Sequence, residues 1–302
     1  MNILTIDVGG TAIKYAVMNE ELNIAAKGSI HTPQEDFEIF IECLYDIYEE
    51  HKNEVEGISI SMPGFIDSEK GFAHTGGWLM YNNNKPVADV LAQKCGAKVY
   101  VENDGKCAML SEMWKGSLAD CQNGIVILLG TGLGGGIMID RKLYKGRHFS
   151  AGEFSYINNS IEDFGREDNM AGFSCSVTGL IKMAERHTGM TNLDGRKIFA
   201  EINNGNEKML NVLKDFSMRV AVNIFNLNII LDCDRVALGG GISRENLLLE
   251  YIKESLEKCI YDETIMKYNP ALSVPEVVQC RFFNDSNMVG ALYHYLSRER
   301  LT

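Results

Sequence analysis

Positive charge is what this chain lacks most. Its 29 lysines and arginines stand against 41 acidic residues, a formal net charge of -12. Such a surface repels nucleic acid at long range. No basic stripe or alternation of aromatic and basic residues offsets that repulsion. The eight cysteines, at 43, 95, 107, 121, 175, 233, 259 and 280, include no C-x-x-C pair, which excludes the common zinc and dithiol redox motifs. They read as scattered core thiols of a reducing compartment. No apolar run is long enough to cross a membrane, and the N-terminus has neither a cationic n-region nor a cleavage site. Low-complexity stretches and flexible linkers are missing as well. The expected setting is cytoplasmic, with no nucleic-acid and no membrane partner. A highly anionic substrate then needs a local positive site made of backbone amides, a lysine or a metal ion.

The chain does have length and a core. Its 302 residues are 45% hydrophobic and 23% charged, enough for two ordinary globular domains. The most informative stretch runs from Gly124 to Ile139. It opens as a β-branched-rich strand and passes through Gly130-Thr131-Gly132-Leu133-Gly134-Gly135-Gly136. It then becomes strand-like again. Five glycines in these seven residues are costly in backbone entropy unless something approaches closely. Gly130-x-Gly132-x-x-Gly135 spells a dinucleotide fingerprint, but that fingerprint needs a helix at its third glycine. A second strand follows here, so the dehydrogenase reading fails. A glycine hairpin whose bare amides hold phosphate fits better.

The N-terminus repeats this layout. Met1–Asp7 reads as a strand, Val8-Gly9-Gly10-Thr11 as a turn and Ala12–Met18 as the returning strand, so an internal duplication is expected. Asp7 sits beside this turn, and Lys14 lies beyond it. A carboxylate next to a phosphate loop calls for a cation between them, and Mg²⁺ is the usual one. Apolar periodicity predicts a helix within Pro33–Lys52 and further helices over 86–95, 107–114, 171–185, 208–231, 245–259 and 288–296. Strands are expected over 55–61, 97–102, 235–238 and 277–283. The loop from Phe65 to Asn84 is long enough to be functional, and Trp78 within it is either a sugar-stacking surface or a structural aromatic. Glu102-Asn103-Asp104 ends a strand just before a helix, where open α/β sheets bind ligands. Asn103 or Asp104 also suits a helix N-cap. Gly239-Gly240-Gly241 runs from a strand toward a helix, an order that suits an anion or a closely packed nucleotide. The domain boundary is expected near 116, giving an N-terminal α/β domain over 1–116 and a larger one over 117–284. The last helix, within 285–302, is expected to pack on the first.

Taken together, Ile6–Lys14, Pro63-Gly64, Glu102-Asn103-Asp104, Leu129–Gly136 and Leu238–Ile242 resemble the sugar kinase–actin ATPase superfamily. More narrowly they resemble the ROK family of sugar kinases. The resemblance implies an α/β fold of duplicated ribonuclease H-like (actin-like ATPase) domains with ATP in an interdomain cleft. It implies an ATP-dependent sugar kinase acting with Mg²⁺, a small-molecule sugar as partner, and a homodimer. Position by position, Asp104 matches the general base, and Gly64 and Asn103 match sugar contacts. Glu153 matches the Glu of the family's E-x-G-H motif. Gly9, Gly10, Thr11 and Lys14, with Gly130, Thr131, Gly132 and Gly134, fall in the phosphate loops. Gly239, Gly240 and Gly241 match the adenosine site, and Asp7 a carboxylate near the metal.

Two departures qualify this. Glu153-Phe154-Ser155-Tyr156 has tyrosine where E-x-G-H has histidine, so Tyr156 borders the sugar's anomeric end. The family's C-x-C-G-x-x-G-C segment is also missing, since 158–171 contains neither cysteine nor histidine; no zinc is expected. Both departures resemble the β-glucoside kinase branch. The phosphate strand starts at residue 3, with no helix-turn-helix ahead of it as in ROK repressors. The expected reaction is phosphorylation of a sugar hydroxyl, the 6-OH of glucose or of a β-glucoside such as cellobiose. The alternatives are an N-acetylmannosamine or other amino-sugar kinase, or a non-catalytic sugar-sensing regulator. A protein kinase fails for want of an H-R-D catalytic loop.

Overall fold

The computed structural model describes residues 1–162 and 164–300. The chain divides into two compact units. The first comprises Met1–Gly116, Leu143–Ala151 and the segment from Asn284 onward; the second comprises Ser117–Lys142 and Gly152–Phe283. The sequence reading had placed 143–151 with the second unit.

In the first unit, β1 (Asn2–Val8) and β2 (Ala12–Asn19) form an antiparallel hairpin, which β3 (Ile24–His31) extends. Helix α1 (Phe37–His51) starts later than Pro33 because the Asp36 carboxylate caps it, accepting from the Ile39 amide at 2.8 Å. Then follow β4 (Gly57–Met62), the short pair β5 (Ile66–Asp67) and β6 (Phe72–Ala73), α2 (Val87–Cys95), β7 (Lys98–Asn103) and α3 (Asp104–Lys115). The sheet order is β3-β2-β1-β4-β7, with β4 parallel to β1 and β7 parallel to β4.

The second unit contains β8 (Gly124–Leu129), β9 (Leu133–Ile139), only the first residue of β10 (Lys142–Tyr144), α4 (Ala171–Ser174), α5 (Val177–Thr188), α6 (Gly195–Asn203) and α7 (Glu207–Leu231). After these come β11 (Arg235–Gly239), α8 (Asn246–Ile260), α9 (Glu263–Tyr268) and β12 (Glu276–Gln279). The second sheet, β10-β9-β8-β11-β12, repeats the order of the first: β9 is antiparallel to β8, and β11 and β12 follow in parallel. Three expectations change here. The helix read over 171–185 is two helices, because Ser176 stops one and caps the next by accepting from the Gly179 amide. The strand read over 277–283 is only Glu276–Gln279. The glycines at 239–241 do not open a helix directly. A 3₁₀ turn over Gly241–Arg244 intervenes before α8.

The last helix, α10 (Ser286–Glu299), belongs to the first unit. Alternation along β1 explains how that unit fills both faces of its sheet. Leu4 and Ile6 pack with Phe40 and Leu44 of α1 and Leu91 of α2. Ile3, on the other face, packs with Met288, Leu292 and Tyr295 of α10. Helices α10 and α3 approach so closely that a Cβ at Gly290 would lie 1.8 Å from the Cys107 carbonyl oxygen.

Candidate active site

The parallel strands bring their carboxyl ends level. Asp7 lies beside Ser61, Ser61 beside Glu102, and Met62 beside Asn103. Asp7 shares the α10 face of β1 with Ile3, and there Oδ1 accepts from Asn287 Nδ2 at 2.9 Å and from Ser61 Oγ at 3.3 Å. Burial pushes its carboxyl above the ordinary range; the hydrogen bonds from Asn287 and Ser61 and the charge of Lys14 only partly offset this. Lys14 stands opposite it on β2. Asn287 lies 280 residues away, and no local pattern marked it as Asp7's partner. Asp285 occupies the cap position, without a side-chain cap bond.

Asn103 caps α3. Its Oδ1 accepts from the Lys106 amide at 3.1 Å, and its Nδ2 donates to the Gly64 carbonyl at 2.9 Å and to Asp104 Oδ1 at 3.0 Å. Asp104 is therefore the first helical residue. It is half-buried, and its Oδ1 also accepts from the Gly105 amide at 2.8 Å. Gly64 has φ +107, and a Cβ there would fall 1.9 Å from the Thr75 carbonyl oxygen. Only glycine fits that turn.

The β1–β2 turn is drawn back at its carbonyls. Gly9 O accepts from Thr32 Oγ1 at 2.7 Å, Gly10 O from Gln34 Nε2 at 3.0 Å, and Thr11 O from the Thr32 amide at 3.0 Å. The Gly9 amide is occupied by Ala12 O at 3.0 Å, while Gly10 and Thr11 are exposed. The β8–β9 turn follows the same plan. Gly130 O accepts from the Val177 amide at 2.8 Å and Thr131 O from Thr178 Oγ1 at 2.9 Å. The Gly130 amide is occupied by Leu128 O and Gly132 O, each at 3.1 Å, while Thr131 and Gly132 are exposed. Thr32, Gln34, Val177 and Thr178 went unnoticed in the sequence because their partners are backbone atoms.

Not every glycine in the second run faces outward. A Cβ at Gly135 would lie 2.3 Å from Val126 O and 2.5 Å from the Phe154 ring. That glycine makes room for packing. Gly134 is half-buried in β9. Gly240, at φ +93, lies against β8, where a Cβ would meet Leu129 O at 2.2 Å; at Gly239 a Cβ would meet Leu128, and at Gly241 there is open space. The amides that follow Gly240 close their own 3₁₀ turn, Ser243 N to Gly240 O at 3.2 Å. Glu153 is half-buried and Tyr156 is 65% exposed. Between them, Ser155 Oγ accepts from the Leu133 amide at 3.1 Å and donates to Leu133 O at 3.0 Å. The second unit thus gathers the turn, Gly239–Gly241 and the 153–156 segment.

Among the described residues, no three His, Cys, Asp or Glu side chains are grouped to hold a metal ion. A magnesium ion keeps several waters and takes one or two carboxylates plus substrate phosphates. Asp7 fits that role: it is a buried carboxylate whose two hydrogen bonds both fall on one oxygen. Among the described residues no cysteine forms a disulfide, and no described helix is long and apolar enough to cross a membrane.

Residues 3–298 match the ROK family model. A beta-glucoside kinase of Klebsiella pneumoniae is 28% identical over 299 residues, covering 98% of this chain and 96% of that protein. An N-acetyl-D-glucosamine kinase of Haemophilus influenzae is 26% identical over 310 residues, covering 97% and 99%. The crystal structure of a ROK family protein from Streptococcus pneumoniae in complex with sucrose matches at 28% identity with a TM-score of 0.87, over 100% of both chains. The two like-ordered sheets are those of the actin-like ATPase fold. With nearly its whole length matched, the chain belongs to the ROK family.

Proposed function

We propose that this protein transfers the terminal phosphoryl group of ATP to a sugar hydroxyl, with Asp104 as general base. The observation that carries the reading is the Asn103–Asp104 pair at the end of β7, braced against Gly64 by a 2.9 Å hydrogen bond. A hydroxyl is a poor nucleophile until its proton has an acceptor. Asp104 provides that acceptor from a fixed helix terminus, with Oδ1 held by two N–H donors. Asn103 and Gly64 frame the acceptor sugar, and Glu153 and Tyr156 contact it as well. Phosphoryl transfer otherwise depends on positioning and charge neutralisation. The exposed tips Gly10–Thr11 and Thr131–Gly132 present backbone to the phosphates, with Gly9, Gly130 and Gly134 shaping the turns. Lys14 and Asp7 stand behind the first tip, and Gly239–Gly241 lines the adenosine. Magnesium, when bound with ATP near Asp7, neutralises phosphate charge. Zinc has no part in this scheme.

The preferred acceptor is the 6-OH of glucose or of a β-glucoside such as cellobiose. Support comes from Tyr156 in place of histidine and from likeness to the Klebsiella beta-glucoside kinase. Likeness to the Haemophilus N-acetyl-D-glucosamine kinase favours an amino sugar as the second reading. A homodimer, expected from the family, is checked by sedimentation. ADP release measured with glucose, cellobiose, N-acetylglucosamine, N-acetylmannosamine and fructose separates the acceptors; release with none of them would leave a sugar-sensing protein. Asp104→Asn should keep sugar binding and lose about 10²–10⁴-fold in turnover. Full activity in that variant removes Asp104 from the mechanism.

A further inference from the structure

Behind the acceptor pair lies a buried carboxylate that the reaction does not use. Glu102 is fully buried. Its Oε1 accepts from the Asn103 amide at 2.9 Å, the donor left over where β7 gives way to α3. Its Oε2 makes no hydrogen bond among the described residues. Lys145 Nζ lies 3.3 Å from Oε2, within ion-pair distance but off hydrogen-bond alignment. Lys145 is itself held: Nζ donates to Ser68 Oγ at 2.6 Å and sits 3.7 Å from Glu69. Its backbone carbonyl accepts from the Ala151 amide at 3.2 Å, closing the loop that carries it. His294 is also buried here, with neither ring nitrogen hydrogen-bonded among the described residues. Burial pushes its imidazole down to about 4, so at neutral pH it adds no positive charge beside Glu102.

We propose that Lys145 is a positioning residue of the acceptor site. By pairing with Glu102 it holds that carboxylate under the Asn103 amide, and so sets the Asn103–Asp104 pair. A buried carboxylate stripped of its cation is left uncompensated and rearranges or draws in water. Each of these outcomes loosens the amide it holds. The proposal rests on the reading of Asn103 and Asp104 as acceptor-site residues.

A double-variant cycle tests it. Lys145→Met removes the cation. Glu102→Gln removes the charge that needs it, yet keeps a side-chain oxygen to accept from the Asn103 amide. Two readouts are taken for the native protein, both single variants and the pair: kcat with the best sugar of the panel, and hydrogen–deuterium exchange of the peptide containing the Asn103 amide. Lys145→Met is expected to lower kcat by up to about 100-fold at little-changed KM for ATP, and to speed exchange in that peptide. Adding Glu102→Gln is expected to return most of both losses. An anchor for the loop alone would not be rescued in this way. A pair as impaired as Lys145→Met, or a Lys145→Met indistinguishable from native, overturns the proposal. If Lys145→Met does not fold, restored folding in the pair supports it and failure of both overturns it. If the native protein phosphorylates no sugar, the proposed function fails, while the exchange cycle still decides the role of Lys145.

Discussion

The two glycine turns share a backbone plan and differ in what stands behind it. Both tie their carbonyls back to a later segment and leave their tips exposed. Behind the first, Asp7 lies beside Ser61 and opposite Lys14. Behind the second, the matching strand positions hold apolar residues and glycine, Leu128 beside Gly239. One copy places charge at the strand ends, and the other leaves space. The duplicated scaffold has thus been specialised by a few strand-end residues, with the tips themselves little altered.

The largest effect should come from removing the charge behind the first turn. Asp7→Asn is expected to lower turnover by about a hundred-fold or more, read as ADP release across a magnesium titration. The same change should raise the melting temperature of the nucleotide-free protein. Burial raises the carboxyl's pKa in the folded state, so its charge is a cost to folding at neutral pH that eases as pH falls through the raised value toward 3.8. Asparagine avoids that cost and still accepts from Asn287. A variant that is both less active and less stable would contradict this account of Asp7.

In the second copy the sensitive element is space. Gly240→Ala must hold φ +93 and clear Leu129 O, and is expected to cost at least about 2 kcal/mol in denaturant unfolding. The exposed tips differ from it in kind. A Cβ at Gly10 meets nothing within 4 Å, and one at Gly132 only Ser155 Oγ at 3.4 Å. Gly10→Ala and Gly132→Ala should therefore fold normally, so a rise in KM for ATP reports phosphate against that turn. About ten-fold at each corresponds to one lost amide contact of about 1.4 kcal/mol. A rise at one tip alone would show that the copies do not share the phosphate.

The smallest effect lies in the first unit and appears in acid. The His294 imidazole is pushed from the ordinary 6.5 to about 4, so between those values the unfolded chain takes up a proton that the folded chain refuses. Stability should fall as pH drops through that window and stay flat above it. His294→Leu, which forfeits no hydrogen bond among the described residues, should flatten the slope in melting-temperature measurements.

Much of this was legible in the sequence, because hairpins around glycine announce themselves by β-branched runs on either side. Asn103 and Asp104 stood out because a strand end meets a helix start. The segment after Ala171 misled because apolar periodicity continues through Ser176, whose hydroxyl prefers to cap. The run at 239–241 misled because glycine before a helical pattern does not reveal a 3₁₀ turn in between. In the second run, Gly135 exists for the Phe154 ring, a reason invisible without the fold. Lys145 sits in an aperiodic loop, and its partner Glu102 is 43 residues earlier, so only three-dimensional proximity joins them.

The helix that covers one face of the first sheet lies far along the chain from the strands it covers. Ile3, Ala16 and Met18 leave the ribosome long before their cover, Met288, Leu292, Tyr295 and Leu296. A nascent chain must keep that greasy surface from sticking elsewhere until the helix emerges. Premature termination anywhere before residue 286 leaves it permanently bare, a species fit for a chaperone or a protease rather than for work.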